Sequence, residues 1–217
     1  MQRLLMMVMV LSLIITGLLH AQEKTEEGFV PLFDGKTFTG WEGDLSIFRI
    51  ENGEVVAGSL ETPIPRNEFL CTRRQYGDFE LRLQAKLTGP GDNAGIQFRT
   101  RRIPNHHEVS GYQCDMGSAF GRKIWGALYD ESRRRKILAE GPQPQVLAAT
   151  RSDDWNDFII RAEGDRIRIW LNGVPTVDYR EREEVERTGI IGLQIHGGKP
   201  AEVRYRKLRI KELRNAS

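Results

Sequence analysis

Residues 78–87 read DFELRLQAKL, with Phe79, Leu81, Leu83 and Ala85 alternating strictly against Glu80, Arg82, Gln84 and Lys86. Successive side chains of an extended strand point to opposite faces, so this segment is a strand with one buried face. The pattern recurs at 166–171, where Ile167, Ile169 and Leu171 oppose Arg166, Arg168 and Trp170. Asn52-Gly53 and Asn172-Gly173 sit between such runs, and Asn-Gly is the pair that best fits a two-residue hairpin turn. Further strands are expected at 48–50, 54–57, 69–72, 96–101, 111–116, 155–162, 188–196 and 202–210. No segment carries a convincing amphipathic helix; 131–140 has helical propensity, but Ile137 and Leu138 cover too little for a packed face. Residues 179–187 are charged and read as a loop. Many short strands joined by Gly, Pro and Asn turns predict an all-β, two-sheet antiparallel sandwich.

The first 21 residues are expected to be a secretory signal peptide: Arg3, an apolar run from Leu4 to Leu19, then Ala21 ahead of a polar stretch. On that reading the protein is exported, periplasmic or secreted, with no membrane association after cleavage. Residues 22–28 are a flexible lead-in and 29–213 one domain, long enough for a single core. The charge balance, 32 basic against 30 acidic residues for a net +2, points to no charged partner. The basic runs 99–102 and 133–136 lack the interleaved aromatics of a nucleic-acid platform, so no nucleic acid is expected. Cys71 and Cys114 both fall in strands, as two buried thiols or as a disulfide.

Chemistry concentrates between 93 and 130. Gln97 with Arg99, and Gln113 with Asp115, stand two residues apart on strands whose other faces are apolar; Gln194 with His196 repeats the spacing. If the three strands are neighbours, six polar side chains converge on one face. Tyr112 and Tyr129 add hydroxyls, and Trp125 a flat wall for a sugar ring. His107 and Glu108 lie in the loop at the edge. The run His106-His107-Glu108 also leaves a divalent cation open, although adjacent residues diverge and no third ligand is specified. No nucleophile elbow, phosphate loop or dinucleotide fingerprint occurs, which leaves acid–base work by carboxylates and histidines.

The blocks FVPLFDGKTFTGW, YGDFELRLQAK, NAGIQFR, GYQCDMG, WGALYDESRR, DWNDFIIRAEGDRIRIWLNG and GIIGLQIHGGKPAEVRYRKLRI resemble, in order, those of the 3-keto-disaccharide hydrolase domain family. NHHEVSGYQ and YDESRR are similar to its planctomycete-type branch. The resemblance implies a concanavalin A-like jelly roll and cleavage of glycosides oxidised at C3, by elimination across C1–C2 followed by hydration. Such a reaction needs a base at C2, a donor at the C3 oxygen and an acid at the leaving oxygen. Phase and charge nominate Asp115 or His196 as base, Arg99 as the donor, and Glu108 or His107 as acid. Gln97, Gln113, Tyr112, Gln194, Trp125 and Tyr129 would hold an oligosaccharide or glycoside. Many members carry Glu where this chain has Gln113, which shifts the acid–base burden to Asp115. The rival readings are a non-catalytic carbohydrate-binding module and a structural domain of the cell envelope.

Overall fold

The computed structural model describes residues 26–213, so the expected signal peptide lies outside the described residues. The strands are β1 (Val30–Pro31), β2 (Trp41–Glu42), β3 (Phe48–Glu51), β4 (Glu54–Ser59), β5 (Glu68–Thr72) and β6 (Phe79–Thr88). Then come β7 (Asn93–Arg102), β8 (Val109–Ala119), β9 (Arg122–Lys123), β10 (Leu128–Glu131) and β11 (Ile137–Ala139). One short helix, α1 (Gln143–Ala149), precedes β12 (Asn156–Glu163), β13 (Arg166–Leu171), β14 (Val174–Arg180), β15 (Ile190–Ile195) and β16 (Ala201–Glu212). They form two antiparallel sheets: β14-β13-β12-β6-β16-β4-β3, with β1 also on β16, and β11-β10-β8-β7-β15-β5-β2, with β9 on β8. This is the jelly-roll sandwich.

The alternation places the core between the sheets. Phe79, Leu81, Leu83 and Ala85 of β6 are at most 2 % exposed and meet Ile96, Phe98, Cys114 and Met116 from the second sheet. Each such side chain contributes roughly 1.5–3 kcal/mol of burial. The two Asn-Gly turns form as expected, with φ +51 and +80 at Asn52-Gly53 and +49 and +81 at Asn172-Gly173. The other face of the first sheet is a lattice of ion pairs, including Arg204 with Glu51, Glu54 and Glu202, and Arg161 with Glu80 and Glu163. Exposed pairs of this kind add little stability each but keep that face wet.

One expectation changes. Residues 143–149 form a helix that the pattern did not announce, because its Pro144 at the first turn and single buried Val146 leave no periodic stripe. As expected, residues 131–140 form no helix: β10 ends at Glu131 and β11 follows after a turn. The cysteines are free. Cys114 packs in the main core, whereas Cys71 belongs to a separate buried cluster with Phe69, Val109 and Ile190 on the opposite face of the second sheet. A sheet between them prevents a disulfide, and burial pushes the Cys71 thiol up to about 12.

Candidate functional site

The outer face of the second sheet carries the polar groups. Gln97 of β7 stands opposite Gln113 of β8, which stands opposite Tyr129 of β10. One step along, Asp115 lies opposite Gly95, and Gly95 opposite Gln194 of β15. Gln97, Gln113, Asp115 and Gln194 are all at most 3 % exposed.

Three of these side chains form a directed chain. Gln97 Nε2 donates to Gln113 Oε1, and Gln113 Nε2 donates to Asp115 Oδ1 (2.5 Å), while Thr100 Oγ1, which donates to the Phe98 carbonyl (2.9 Å), lies 3.3 Å from Gln97 Oε1. Gly95 makes this possible, because a Cβ there would collide with the Gln113 carboxamide lying above it. Burial pushes the Asp115 carboxyl up to about 8; the Gln113 hydrogen bond opposes the shift and nearby Glu131 adds to it. Across Gly95, neither the Nε2 nor the Oε1 of Gln194 has a partner, though both atoms are buried. A buried carboxamide left unpaired costs about 1–3 kcal/mol per group, so these two atoms are open to a water or to a ligand group. Its backbone is fixed from behind: Tyr205 of the first sheet spans the core and donates its hydroxyl to the carbonyls of Gln194 (2.6 Å) and Gly95 (3.0 Å).

A second acidic group borders the row. Ser132 Oγ donates to Glu108 Oε2 (2.6 Å) and lies 3.4 Å from Glu131 Oε1. Burial, with the charge of Glu108, raises the Glu131 carboxyl. Burial raises the Tyr129 phenol as well, and the charges of Glu131 and Asp115 add to the shift. Tyr129 therefore shares the acidic environment of Glu131 and Asp115. Glu131 was missed in the sequence because it sat in a segment of helical propensity. The signal for it was its two-residue spacing from Tyr129.

The loop between β7 and β8 closes over this face as a strap. Arg102 reaches the Phe69 carbonyl (2.9 Å) and the Glu42 carbonyl (3.1 Å), while His107 Nδ1–H donates to the Asn67 carbonyl (2.9 Å). Those partners lie at β5 and β2, beyond β15, whereas Glu108 on the same strap is tied to Ser132 after β10. The strap is thus held on both flanks, which accounts for the buried amides beneath it.

The bend that starts the strap also corrects the sequence reading. Arg99 has φ +45, and the β7–β8 register shifts between Phe98 and Arg101. This turns Arg99 off the Gln97 face. Its guanidinium instead joins the two sheets, bonding the Gly77 carbonyl (3.1 Å), the Gly164 carbonyl (2.7 Å) and Asp78 Oδ1 (2.7 Å). Tyr112 faces inward, stacked on Phe98 at 5.6 Å with its hydroxyl on Glu181 Oε2 (2.5 Å), so it holds no ligand on the outer face. Trp125 is buried in the core against Phe158 at 6.3 Å and is no sugar wall. His196 lies past the end of β15, exposed at the rim, with Nδ1 on the adjacent Gly197 carbonyl (2.7 Å). The structure thus brings together Gln97, Gln113, Asp115, Gln194, Tyr129 and Glu108. Arg99, Tyr112 and Trp125 stand apart, and His107 and His196 sit in the strap and at the rim.

A divalent cation does not fit the histidine pair. The His106 and His107 rings stack at 4.5 Å, His107 is turned to Asn67, and Glu108 is turned to Ser132. Among the described residues no three His, Cys, Asp or Glu side chains are placed to hold a metal ion. A cleft of about 450 Å³ opens elsewhere, beside β1 and β16. Its polar lining is spent internally, Gln84 on Asp157 (2.8 Å) and Glu26 on Arg209 (3.3 Å).

The sequence model of the 3-keto-alpha-glucoside-1,2-lyase-like domain matches residues 28–211. The chain belongs to this family. No curated protein matches it significantly. Among solved structures, the family fold seen here is similar to a presumptive glycosyl hydrolase of Parabacteroides distasonis (TM-score 0.62, 19% identity, 87% of this chain and 95% of that one). It is also similar to the carbohydrate-binding module CBM66 of Bacillus subtilis (0.58, 14%, 80% and 96%) and to the Bacillus licheniformis beta-glucanase (0.57, 11%, 86% and 97%). At these identities the likeness is one of fold. Family and fold together indicate a glycosyl hydrolase-like or carbohydrate-binding jelly-roll domain.

Proposed function

We propose that the chain cleaves 3-keto-glycosides, with Asp115 as the base that removes the C2 proton. The observation that carries this reading is a buried carboxyl at the end of an amide chain, pushed up to about 8, beside an unpartnered carboxamide. A base works best when its pKa lies near the working pH. A C3 ketone acidifies the C2 hydrogen, so Asp115 takes that proton and an enolate forms. The C1–oxygen bond then breaks as the C1–C2 double bond forms. The leaving oxygen is protonated by Glu131, whose carboxyl is raised by burial and by the neighbouring charge of Glu108. Water then adds its hydroxyl to C1 and its hydrogen to C2.

Arg99 cannot serve the enolate, since all three of its bonds run to the other sheet. We assign that donor role to the free Gln194 Nε2–H, with Gln194 Oε1 and Tyr129 on sugar hydroxyls. Asp115 is preferred to His196 because it is sheltered and aligned, whereas His196 is exposed at the rim. Substrate entry requires the strap to lift at its His107 and Glu108 ties. Export, inferred from residues 1–21, belongs to the same reading.

The test is incubation of purified protein with 3-keto-trehalose and 3-keto-cellobiose beside the unoxidised sugars. Glucose release from the keto forms alone, lost in Asp115→Asn, is the expected result. Tight binding without turnover would replace the enzyme with a carbohydrate-binding module.

A further inference from the structure

The β8–β9 connection is a two-residue turn with both central residues left-handed, Phe120 at φ +51 and Gly121 at φ +73. This is the geometry of the Asn52-Gly53 and Asn172-Gly173 turns, where the chain uses Asn at the equivalent position. A bulky residue is a poor choice there, because its Cβ crowds the backbone when φ is positive. The ring is not retained for packing, since Phe120 is 66 % exposed. It does have a fixed neighbour. Its centroid lies 6.4 Å from that of Tyr129, with 35° between the planes. The Arg122 guanidinium sits 5.9 Å from the same ring and is itself anchored on Glu140 (2.8 and 3.1 Å). Tyr129 stands opposite Gln113 on the polar face, so the exposed ring continues the amide row outward.

We propose that Phe120 and Tyr129 form an apolar platform that stacks against the second sugar ring of a disaccharide whose keto-sugar lies at Asp115. The proposal rests on the preceding reading of the row as a sugar site and adds the determinant of chain length. A pyranose offers a flat C–H face with hydroxyls at its edge, which suits one ring stacked beneath it and a phenol at its side.

The test uses Asp115→Asn protein, which holds substrate without turnover, with and without Phe120→Asn. Calorimetric titration with 3-keto-cellobiose should show about three- to tenfold weaker binding when Phe120 is replaced. Titration with methyl 3-keto-glucoside, which lacks the second ring, should be unchanged. The thermal midpoint should hold or rise, because Asn suits the turn. Unchanged disaccharide binding, or equal weakening of both ligands, would overturn the platform. If wild-type protein binds the disaccharide but never cleaves it, the lyase reading fails while the effect at Phe120 still decides this one. If neither sugar binds, both readings fall.

Discussion

Replacing Asp115 with Asn should make the protein more stable, and increasingly so as pH rises. The side chains are isosteric, and Asn Oδ1 can still accept the hydrogen bond from Gln113. Only the titration is lost. The folded carboxyl titrates near 8 against an ordinary 3.8. Between those values the folded chain keeps a proton that the unfolded chain has released. A group whose folded pKa is raised in this way costs nothing below the unfolded value, then costs about 1.4 kcal/mol for each pH unit up to the folded value. The full penalty above pH 8 is then ~6 kcal/mol, an upper figure because a relaxing site admits water. In a domain of this size 1 kcal/mol moves the thermal midpoint by roughly 2–4 °C. Thermal unfolding of both proteins from pH 4 to 9 should therefore give midpoints that agree near pH 4 and separate by several degrees by pH 8. Other titrating groups cancel in the difference. Parallel curves would show that Asp115 is not a buried, proton-holding carboxyl, and the catalytic assignment would lose its basis.

Gly95→Ala should disconnect Gln113 from Asp115, because the new Cβ occupies the carboxamide's place; turnover of the keto-disaccharide should collapse in a protein that still unfolds cooperatively. Tyr205→Phe removes the hydroxyl shared by the Gly95 and Gln194 carbonyls. It should cost about 1–3 kcal/mol in urea unfolding, and an unchanged midpoint would show that those carbonyls need no donor. Arg99→Ala should destabilise by ~3–5 kcal/mol, as expected when one partner of a buried ion pair is deleted. A mutant of native stability that had lost turnover would instead return Arg99 to the chemistry. Unfolding with and without dithiothreitol should coincide, since Cys71 and Cys114 face opposite sides of a sheet.

The regular parts of this fold are plain in the sequence because one face of each strand is buried, which enforces a period of two. The Asn-Gly turns are equally plain, since few other pairs tolerate two left-handed residues. The failures have separate causes. The run from Gln97 to Arg101 alternates smoothly on paper, and nothing local announces that Arg99 leaves the face. The reason lies at distant glycines: a Cβ at Gly111 would come within 2.7 Å of the Arg99 carbonyl. Gly189 likewise presses on the Arg99–Thr100 backbone. Tyr112 and Trp125 misled by composition, since a polar tip and a flat ring serve a core as well as a ligand. The core faces of β7 and β8 were readable, as were Gln113 and Asp115. Glu131, Phe120 and the empty amide of Gln194 needed three-dimensional neighbours to acquire meaning.

The strap tied to Asn67 on one flank and to Ser132 on the other works as a crossbar over a trough. A long polysaccharide laid along the sheet would hold the bar open, whereas a short glycoside would lie beneath it once the bar had lifted and closed again. Loop length then acts as a gauge. One residue removed between Ile103 and Glu108 would leave the bar too short to reach both posts, and the protein would trade selectivity for small sugars against access by polymers.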